Sequence, residues 1–263
     1  MRRVITLLTD FGTQDYFVAS MKGVILSIVN DVHIVDISHD VPPQDIKRAA
    51  MILWACYKYF PRGTIHVVVV DPGVGTARKP LLIVTRNYFF VGPDNGVLVP
   101  AAEDDGIIEV YEIDPEKVSR GRISTTFHGR DIFAPAAAYL ALGLSPEDIG
   151  HRCSTYVKLE LEKPRKISEN EYEAQVVYID RFGNVYTNMR EEHLAKRPRK
   201  VTVRLPDGRT VEMPFVRAYG DVEPGKELAL INSEGFLELS INYGNFSNKY
   251  GLKPLDRVVI KVE

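Results

Sequence analysis

The chain is poor in cysteine, nearly balanced in charge and without a long apolar run, and each shortage narrows what it can be. Only Cys56 and Cys153 occur in 263 residues, so no disulfide framework is expected and no metal-ligand spacing appears. A formal net charge of −2 offers no electrostatic grip on nucleic acid or on an anionic membrane. No apolar stretch approaches the roughly 20 residues that span a bilayer. The opening MRRVITLLTDFG has too short an apolar core for a signal peptide and meets an acid at Asp10. A soluble, cytoplasmic protein without nucleic-acid or membrane partners is the expectation. Internal repeats and low-complexity tracts are also missing. The basic run KRPRK, Lys196 to Lys200, lacks interleaved aromatics and reads as a solvated loop rather than a nucleic-acid patch.

What is present is ordinary globular material, 45% hydrophobic and 26% charged, long enough for one large domain or two ordinary ones. The first half alternates two textures. VITLLTD and IHVVVV read as buried strands and HIVDIS as another strand between them, while YFVASMKGVILSIV carries helical spacing. PQDIKRAAMILWACYKYF is expected as a helix with Pro43 in its first turn and Ile46, Ala49, Ala50, Leu53 and Tyr57 on one face. LLIVTRN and YFFVGPDNG are expected to pair as strands, followed by the strand IIEVYEI and a helix through DIFAPAAAYLALG. This alternation argues an α/β domain with a largely parallel sheet over 1–160. KLELEKPRKISENEY is polar and proline-bearing, a linker in character, with the boundary near 155–170. Beyond it EAQVVYID, VYTNM, VTVRL, TVEMPFV, LALINS, FLELSIN and RVVIKV are short strands separated by turns such as PDG, PGK and SEG. They predict a smaller all-β, barrel-like domain over 170–263.

Polar residues gather where strands end, which is where open α/β sheets bind ligands. Asp10 closes the first strand, Ser38 to Asp40 the second, and Asp71 the third. A strand-end Asp also serves as a cap or turn former, but three on one edge point beyond that. Asp71 opens DPGVGTARKP, a glycine turn that ends on Arg78. That turn matches neither a Walker loop nor the dinucleotide fingerprint, so phosphate binding is not supported. Its glycines either let backbone approach a ligand or make a tight turn. In TTFHGRD, His128 sits between Phe127 and Gly129, and no other histidine has metal-like spacing with it. IDRFGNVYTN sets Asp180, Phe182, Asn184 and Tyr186 within seven residues. It reads either as a glycine hairpin or as a surface that stacks and hydrogen-bonds a purine. A further polar turn is Asn232, Ser233 and Glu234 in NSEGFLELSINYG.

LLTDFGTQDYFVASMKG, DISHDVPPQDI, VVDPGVGTARKP, VGPDNGVL, TFHGRDIFAPAAAYLA, YIDRFGNVYTN and INSEGFLELSIN, in this order, resemble the S-adenosyl-L-methionine (SAM) hydroxide adenosyltransferases. These are SAM hydrolases that form adenosine, related to the SAM-dependent fluorinase and chlorinase. The resemblance implies an N-terminal α/β domain, a C-terminal β-barrel, and a homotrimer with active sites between one subunit's N-domain and its neighbour's C-domain. It implies that SAM is the substrate, with no cofactor or metal, and that water attacks C5′ to give adenosine and L-methionine. The family's Asp–Arg–His triad falls on Asp71, Arg78 and His128. Asp10 falls on the ribose hydroxyls, Asp180 and Ser233 at the methionine end, and Phe182 and Asn184 at the adenine. Phe127, Tyr186, Glu234 and Tyr243 complete the expected substrate contacts.

Departures from the halogenases matter. Asp71 stands where those enzymes carry a tyrosine, Val74 and Gly129 where they carry halide-contacting hydroxyls, and Gln44 where they carry an aromatic residue near the sugar. Glu234 replaces a basic residue. A carboxylate repels a halide, which leaves water as the nucleophile. The sulfonium departs as a neutral thioether and needs no general acid. Bulk water is a poor nucleophile at neutral pH. Arg78 would therefore hold the developing anion, and Asp71 or His128 would accept the proton. Two other readings remain, a SAM or adenosine sensor without turnover and a halide-dependent adenosyltransferase.

Overall fold

Runs of β-branched residues become strands, and the faces they bury decide where the helices lie. The computed structural model describes residues 3–159, 162–194 and 196–263. The chain divides into two units, Met1–Glu160 and Leu161–Glu263. In the first, β1 (Arg3–Thr9), α1 (Phe17–Ile28), β2 (Val32–Ser38), α2 (Ile46–Cys56) and β3 (Ile65–Val69) follow one another. Then come β4 (Pro80–Thr85), β5 (Phe89–Pro93), α3 (Val99–Asp105), β6 (Ile107–Ile113) and β7 (Gly150–Arg152).

The sheet order is β2-β1-β3-β5-β4-β6-β7. The pairs β1–β2, β1–β3 and β3–β5 are parallel, while β4–β5, β4–β6 and β6–β7 are antiparallel. Strand alternation gives β1 and β3, in the middle of the sheet, two buried faces. Ile5, Leu7, Val67 and Val69 pack with Met21 and Ile25 of α1 and with the alanines of the helix Ala134–Leu142. Leu8 and Val68 face the opposite way, against Ala49, Ala50 and Leu53 of α2 and Ala101 and Ala102 of α3. Parallel pairing sends the carboxyl ends of β1, β2 and β3 to one edge, so Asp10, the 38–40 segment and Asp71 share it.

One helix start differs from the sequence-based expectation. Pro43 lies outside α2: Gln44 takes a positive φ of 67°, and Asp45 caps the helix by accepting a hydrogen bond from the Arg48 backbone N–H at 2.9 Å. A side-chain cap satisfies a donor that a proline in the first turn would leave open. The helix expected through DIFAPAAAYLALG also begins differently, with a π-helical turn over Gly129–Phe133 before Ala134–Leu142.

In the second unit, β8 (Arg165–Lys166), β9 (Glu171–Ile179), β10 (Val185–Arg190), β11 (Lys200–Arg204), β12 (Thr210–Pro214), β13 (Glu227–Ile231), β14 (Phe236–Ile241) and β15 (Arg257–Val262) form one antiparallel sheet. Its order is β12-β11-β15-β9-β10-β14-β13, with β8 beside β9. A bridge between Phe215 and Ala229 brings the two ends of that order together and nearly closes a barrel. Tyr172, Ala174, Val176, Leu237, Leu239 and Ile241 fill it at alternate positions. Of the expected linker, Glu160 and Leu161 lie outside the described residues. Arg165–Lys166 is paired with β9 rather than free, because the polar stretch supplies an edge strand.

His66 of β3 is fully buried among Tyr57, Phe60, Tyr88 and Phe90. Its Nδ1 lies 2.8 Å from the Thr6 hydroxyl, and its Nε2 has no hydrogen-bond partner. Burial pushes its pKa down to about 3, so the folded chain refuses a proton that the unfolded chain accepts below about pH 6.5. The contribution of this group to stability is present above pH 6.5 and is lost as pH falls toward 3, by about 1.4 kcal/mol per pH unit. Thermal melts between pH 7 and pH 4.5 should show His66→Phe losing less stability on acidification than the parent chain. Parallel pH profiles would contradict it.

Candidate active site

The β3 strand delivers Asp71 into a turn closed by backbone bonds from Val74 N–H to the Asp71 carbonyl (3.2 Å) and from Thr76 N–H to the Gly73 carbonyl (3.1 Å). That turn folds Arg78 back onto the acid. Arg78 Nε donates to both Asp71 carboxylate oxygens at 3.0 Å, and its Nη2 pairs with Oδ2. Nη2 also meets His128 Nδ1 at 2.9 Å. The Asp71 and Arg78 side chains are only 5% and 10% exposed. The guanidinium carbon lies 5.2 Å from the Phe133 ring centroid, and Nη1 is buried without a hydrogen-bond partner.

Glycine makes this convergence possible. Gly75 has a φ of +75°, and a Cβ there would stand 2.3 Å from the Thr125 carbonyl oxygen. Only a residue without a side chain lets the turn touch the TTFHG segment and bring Arg78 to His128.

An arginine side chain donates only, so His128 Nδ1 is the acceptor and its neutral ring carries the proton on Nε2. Burial first, and the Arg78 charge second, hold its pKa below the ordinary histidine value, against the opposing pull of Asp71 and Asp131. The triad is thus a paired anion and cation beside a neutral imidazole.

Asp71 and His128 line a cavity of about 370 Å³ that also includes Asp10, Gln44, Val74 and Phe127. Asp10 accepts a hydrogen bond from the Gln44 N–H at 2.8 Å. Phe127 is held edge-on by Phe11 and Phe17, with ring centroids at 5.9 and 5.2 Å. Phe11 and Phe17 were not among the sequence candidates, although both stand in the TDFGTQDYF block.

The second unit has its own open cavity of about 830 Å³, lined by Asp180, Phe182, Asn184, Tyr219 and Tyr243 among others. Asp180 organises the hairpin there. Its Oδ1 accepts the N–H groups of Phe182 (2.9 Å) and Asn184 (3.0 Å), and its Oδ2 accepts Asn184 Nδ2 at 2.9 Å. This leaves Phe182 73% and Tyr243 92% exposed.

Tyr186, Ser233 and Glu234 do not line this cavity. Tyr186 is half-buried beside Tyr178, with ring centroids 5.3 Å apart, and burial raises its hydroxyl pKa. Ser233 and Glu234 sit on the β13–β14 turn, where Asn232 Oδ1 accepts the Glu234 and Phe236 N–H groups at 3.1 and 3.0 Å. Tyr219 escaped sequence reasoning because RAYGD carries no spacing signal. Among the described residues, no group of three or more His, Cys, Asp or Glu side chains is arranged to hold a metal ion.

Comparison with known proteins adds a family to this geometry. Residues 5–150 match the SAM hydroxide adenosyltransferase N-terminal domain and residues 174–259 the C-terminal domain of the same family. The chain is 37% identical to the (R)-S-adenosyl-L-methionine hydrolase of Methanocaldococcus jannaschii, over 98% of this chain and 95% of that protein. It is 29% identical to the fluorinase of Nocardia brasiliensis, over 99% and 97% of the two chains. A crystal structure of a conserved protein from Thermotoga maritima superposes with a TM-score of 0.91 at 37% identity, covering 98% of this chain and 99% of that one.

The glycine argument has a direct check. Gly75→Ala should lower stability by about 1–3 kcal/mol, combining the left-handed φ with the clash against Thr125. Gly121→Ala, where a Cβ meets nothing within 4 Å, should stay within about 0.5 kcal/mol. Denaturant melts of the two variants test this, and equal midpoints would contradict it.

Proposed function

The chain belongs to the SAM hydroxide adenosyltransferase family, and from that premise we propose that it hydrolyses SAM to adenosine and L-methionine at the Asp71–Arg78–His128 triad. The observation that carries this reading is Arg78. It is a permanent cation clamped by Asp71, bonded to a neutral His128, and left with one buried nitrogen uncommitted to any protein acceptor.

Water attacks C5′, the C5′–S bond breaks with its electron pair passing to sulfur, and the sulfonium leaves as neutral methionine thioether. One proton must depart from the attacking oxygen. His128 carries its hydrogen on Nε2, so that nitrogen donates to the oxygen rather than taking its proton. The proton therefore passes to the Asp71 carboxylate. Arg78 stabilises the hydroxide character that develops, in a site shielded from bulk water where such interactions are stronger. Val74 and Gly129 line the same cavity and offer no side-chain hydroxyl to a halide.

Asp10 serves the ribose, whose hydroxyl donors suit a carboxylate fixed by the Gln44 N–H, and Phe127 forms an apolar wall. In the second unit Phe182 and Asn184 serve the adenine, stacking on its face and bonding its edge. Asp180, Ser233 and Glu234 serve the methionine end, and Tyr186 and Tyr243 complete the surround. The working enzyme is a homotrimer in which each subunit's first unit meets a neighbour's second unit. The exposure of Phe182 and Tyr243 supports this, because large rings rimmed by polar groups are typical of surfaces that become covered.

Incubation with SAM in H₂¹⁸O should yield adenosine labelled at the 5′ oxygen and unlabelled methionine; intact SAM bound without turnover would make the protein a sensor instead. Arg78→Ala and His128→Ala should each lower kcat by about 10²–10⁴-fold. Wild-type rates in either variant would remove the triad from the chemistry. Because the His128 pKa is lowered, neutral His128 persists below its ordinary value. The acid limb of kcat/KM should therefore fall below about pH 6.5, and a midpoint above that value would contradict the assignment.

A further inference from the structure

Beneath the second unit's cavity lies an ionisable group for which the triad chemistry has no use. Glu238 sits in β14 with 0% exposure, between Tyr186 of β10 and Leu230 of β13 in the sheet register. Its neighbours Leu237 and Leu239 point into the barrel core, so strand alternation turns Glu238 and Ser240 to the other face. Oε1 accepts hydrogen bonds from the Tyr219 hydroxyl and the Ser240 hydroxyl, both at 2.7 Å, and Oε2 accepts one from Asn232 Nδ2 at 3.1 Å.

Two of those partners belong to loops of the second unit. Tyr219 lines the cavity, and Asn232 supports the turn carrying Ser233 and Glu234. One buried carboxylate therefore ties both loops down.

The charge is the unusual part. Among the described residues no lysine, arginine or histidine forms an ion pair with Glu238, and its charged neighbour is Asp180 on the cavity wall, of like sign. Burial raises the Glu238 pKa, while the hydroxyl and amide donors oppose that rise. Neutral donors reduce the cost of a buried anion without cancelling its field. A carboxylate accepts from all three donors, which an amide could not do because its NH2 would face Asn232 Nδ2. None of those donors neutralises its charge, and a cationic ligand would.

We propose that Glu238 is a specificity-determining positioning residue. Together with Asp180 it provides the negative field that selects the cationic sulfonium and ammonium end of the substrate over neutral nucleosides. This rests on the SAM hydrolase reading above.

The test compares binding of SAM and of adenosine by calorimetry in the wild-type chain, Glu238→Gln and Tyr219→Phe, with the KM for SAM measured beside them. Glu238→Gln should weaken SAM about tenfold and adenosine less than about twofold, the former a loss of about 1.4 kcal/mol. Tyr219→Phe removes a loop contact but keeps the charge, so it should leave the SAM-to-adenosine ratio within about twofold of wild type. Equal weakening of both ligands in Glu238→Gln would reduce the residue to a structural role and overturn the proposal, as would an unchanged affinity for SAM. A wild-type chain that binds SAM without hydrolysing it would overturn the hydrolase reading alone, and the ratio would still decide the role of Glu238. A wild-type chain that binds no SAM would overturn both.

Discussion

The two-pronged pairing of Arg78 with Asp71 is the constraint on which the first unit's site depends. Burying two charges costs several kcal/mol each, and their attraction offsets that cost only when the geometry is good and further bonds satisfy the remaining donors. Here the carboxylate is met by two guanidinium nitrogens, a third contact runs to His128, and Phe133 receives the cation on its ring face. The pair also explains its surroundings. A carboxylate fixed at a strand end and a guanidinium seven residues later must close a tight loop, and that loop must lie against the segment bearing His128. Gly75 fits both demands, through its positive φ and its closeness to Thr125. Truncating either side chain of the ion pair would leave a buried charge unpaired.

Backbone strain follows the same map. Among the described residues three other than glycine take a positive φ, and two of them, Gln44 and Tyr243, line the two cavities. Each such residue costs on the order of 1–3 kcal/mol and persists only where its surroundings hold it. Gln44 shows what the strain supports, because its turned backbone directs an N–H at Asp10 and fixes that carboxylate. The same residue sets where α2 begins, since Asp45 caps the helix immediately after it. Local strain, helix capping and the orientation of a strand-end acid are thus one arrangement.

Much of this was legible from residue order. Apolar runs ending in Asp10 and Asp71 marked both the strands and the edge where they deliver acids, because a strand buried on two faces carries few ionisable residues until it ends. Short alternating segments after residue 170 indicated the second sheet, because a strand with one buried face alternates apolar and polar residues. Other features depend on partners distant in sequence. Pro43 suggested a helix start, but the carboxylate of Asp45 and the turn at Gln44 took that role. Arg165 and Lys166 read as linker, and only pairing with Tyr172 and Glu173 makes them a strand. Tyr219 has no local pattern at all; its place follows from a hydroxyl bond to a residue 19 positions away. Glu238 did leave a trace, an acid inside the apolar run FLELSI, and the trace becomes meaningful once its burial is known.

The division of charge between the two units suits a reaction that consumes a cation. The triad is close to neutral overall, since Arg78 cancels Asp71 and His128 stays uncharged under the influence of burial and that same arginine. A net negative triad would attract the sulfonium but would oppose hydroxide character on the attacking water, defeating the step it serves. Binding a cation and generating an anion therefore make opposite demands on one local field. In the proposed roles those demands are divided: Asp180 and Glu238, in no ion pair among the described residues, act in the second unit, and the self-cancelling pair acts in the first. When sulfur leaves as a thioether the cationic attraction at that centre is gone, so the field that favours the substrate does not hold the products to the same degree. Loss of affinity on turnover then follows from the chemistry itself and requires no separate conformational device.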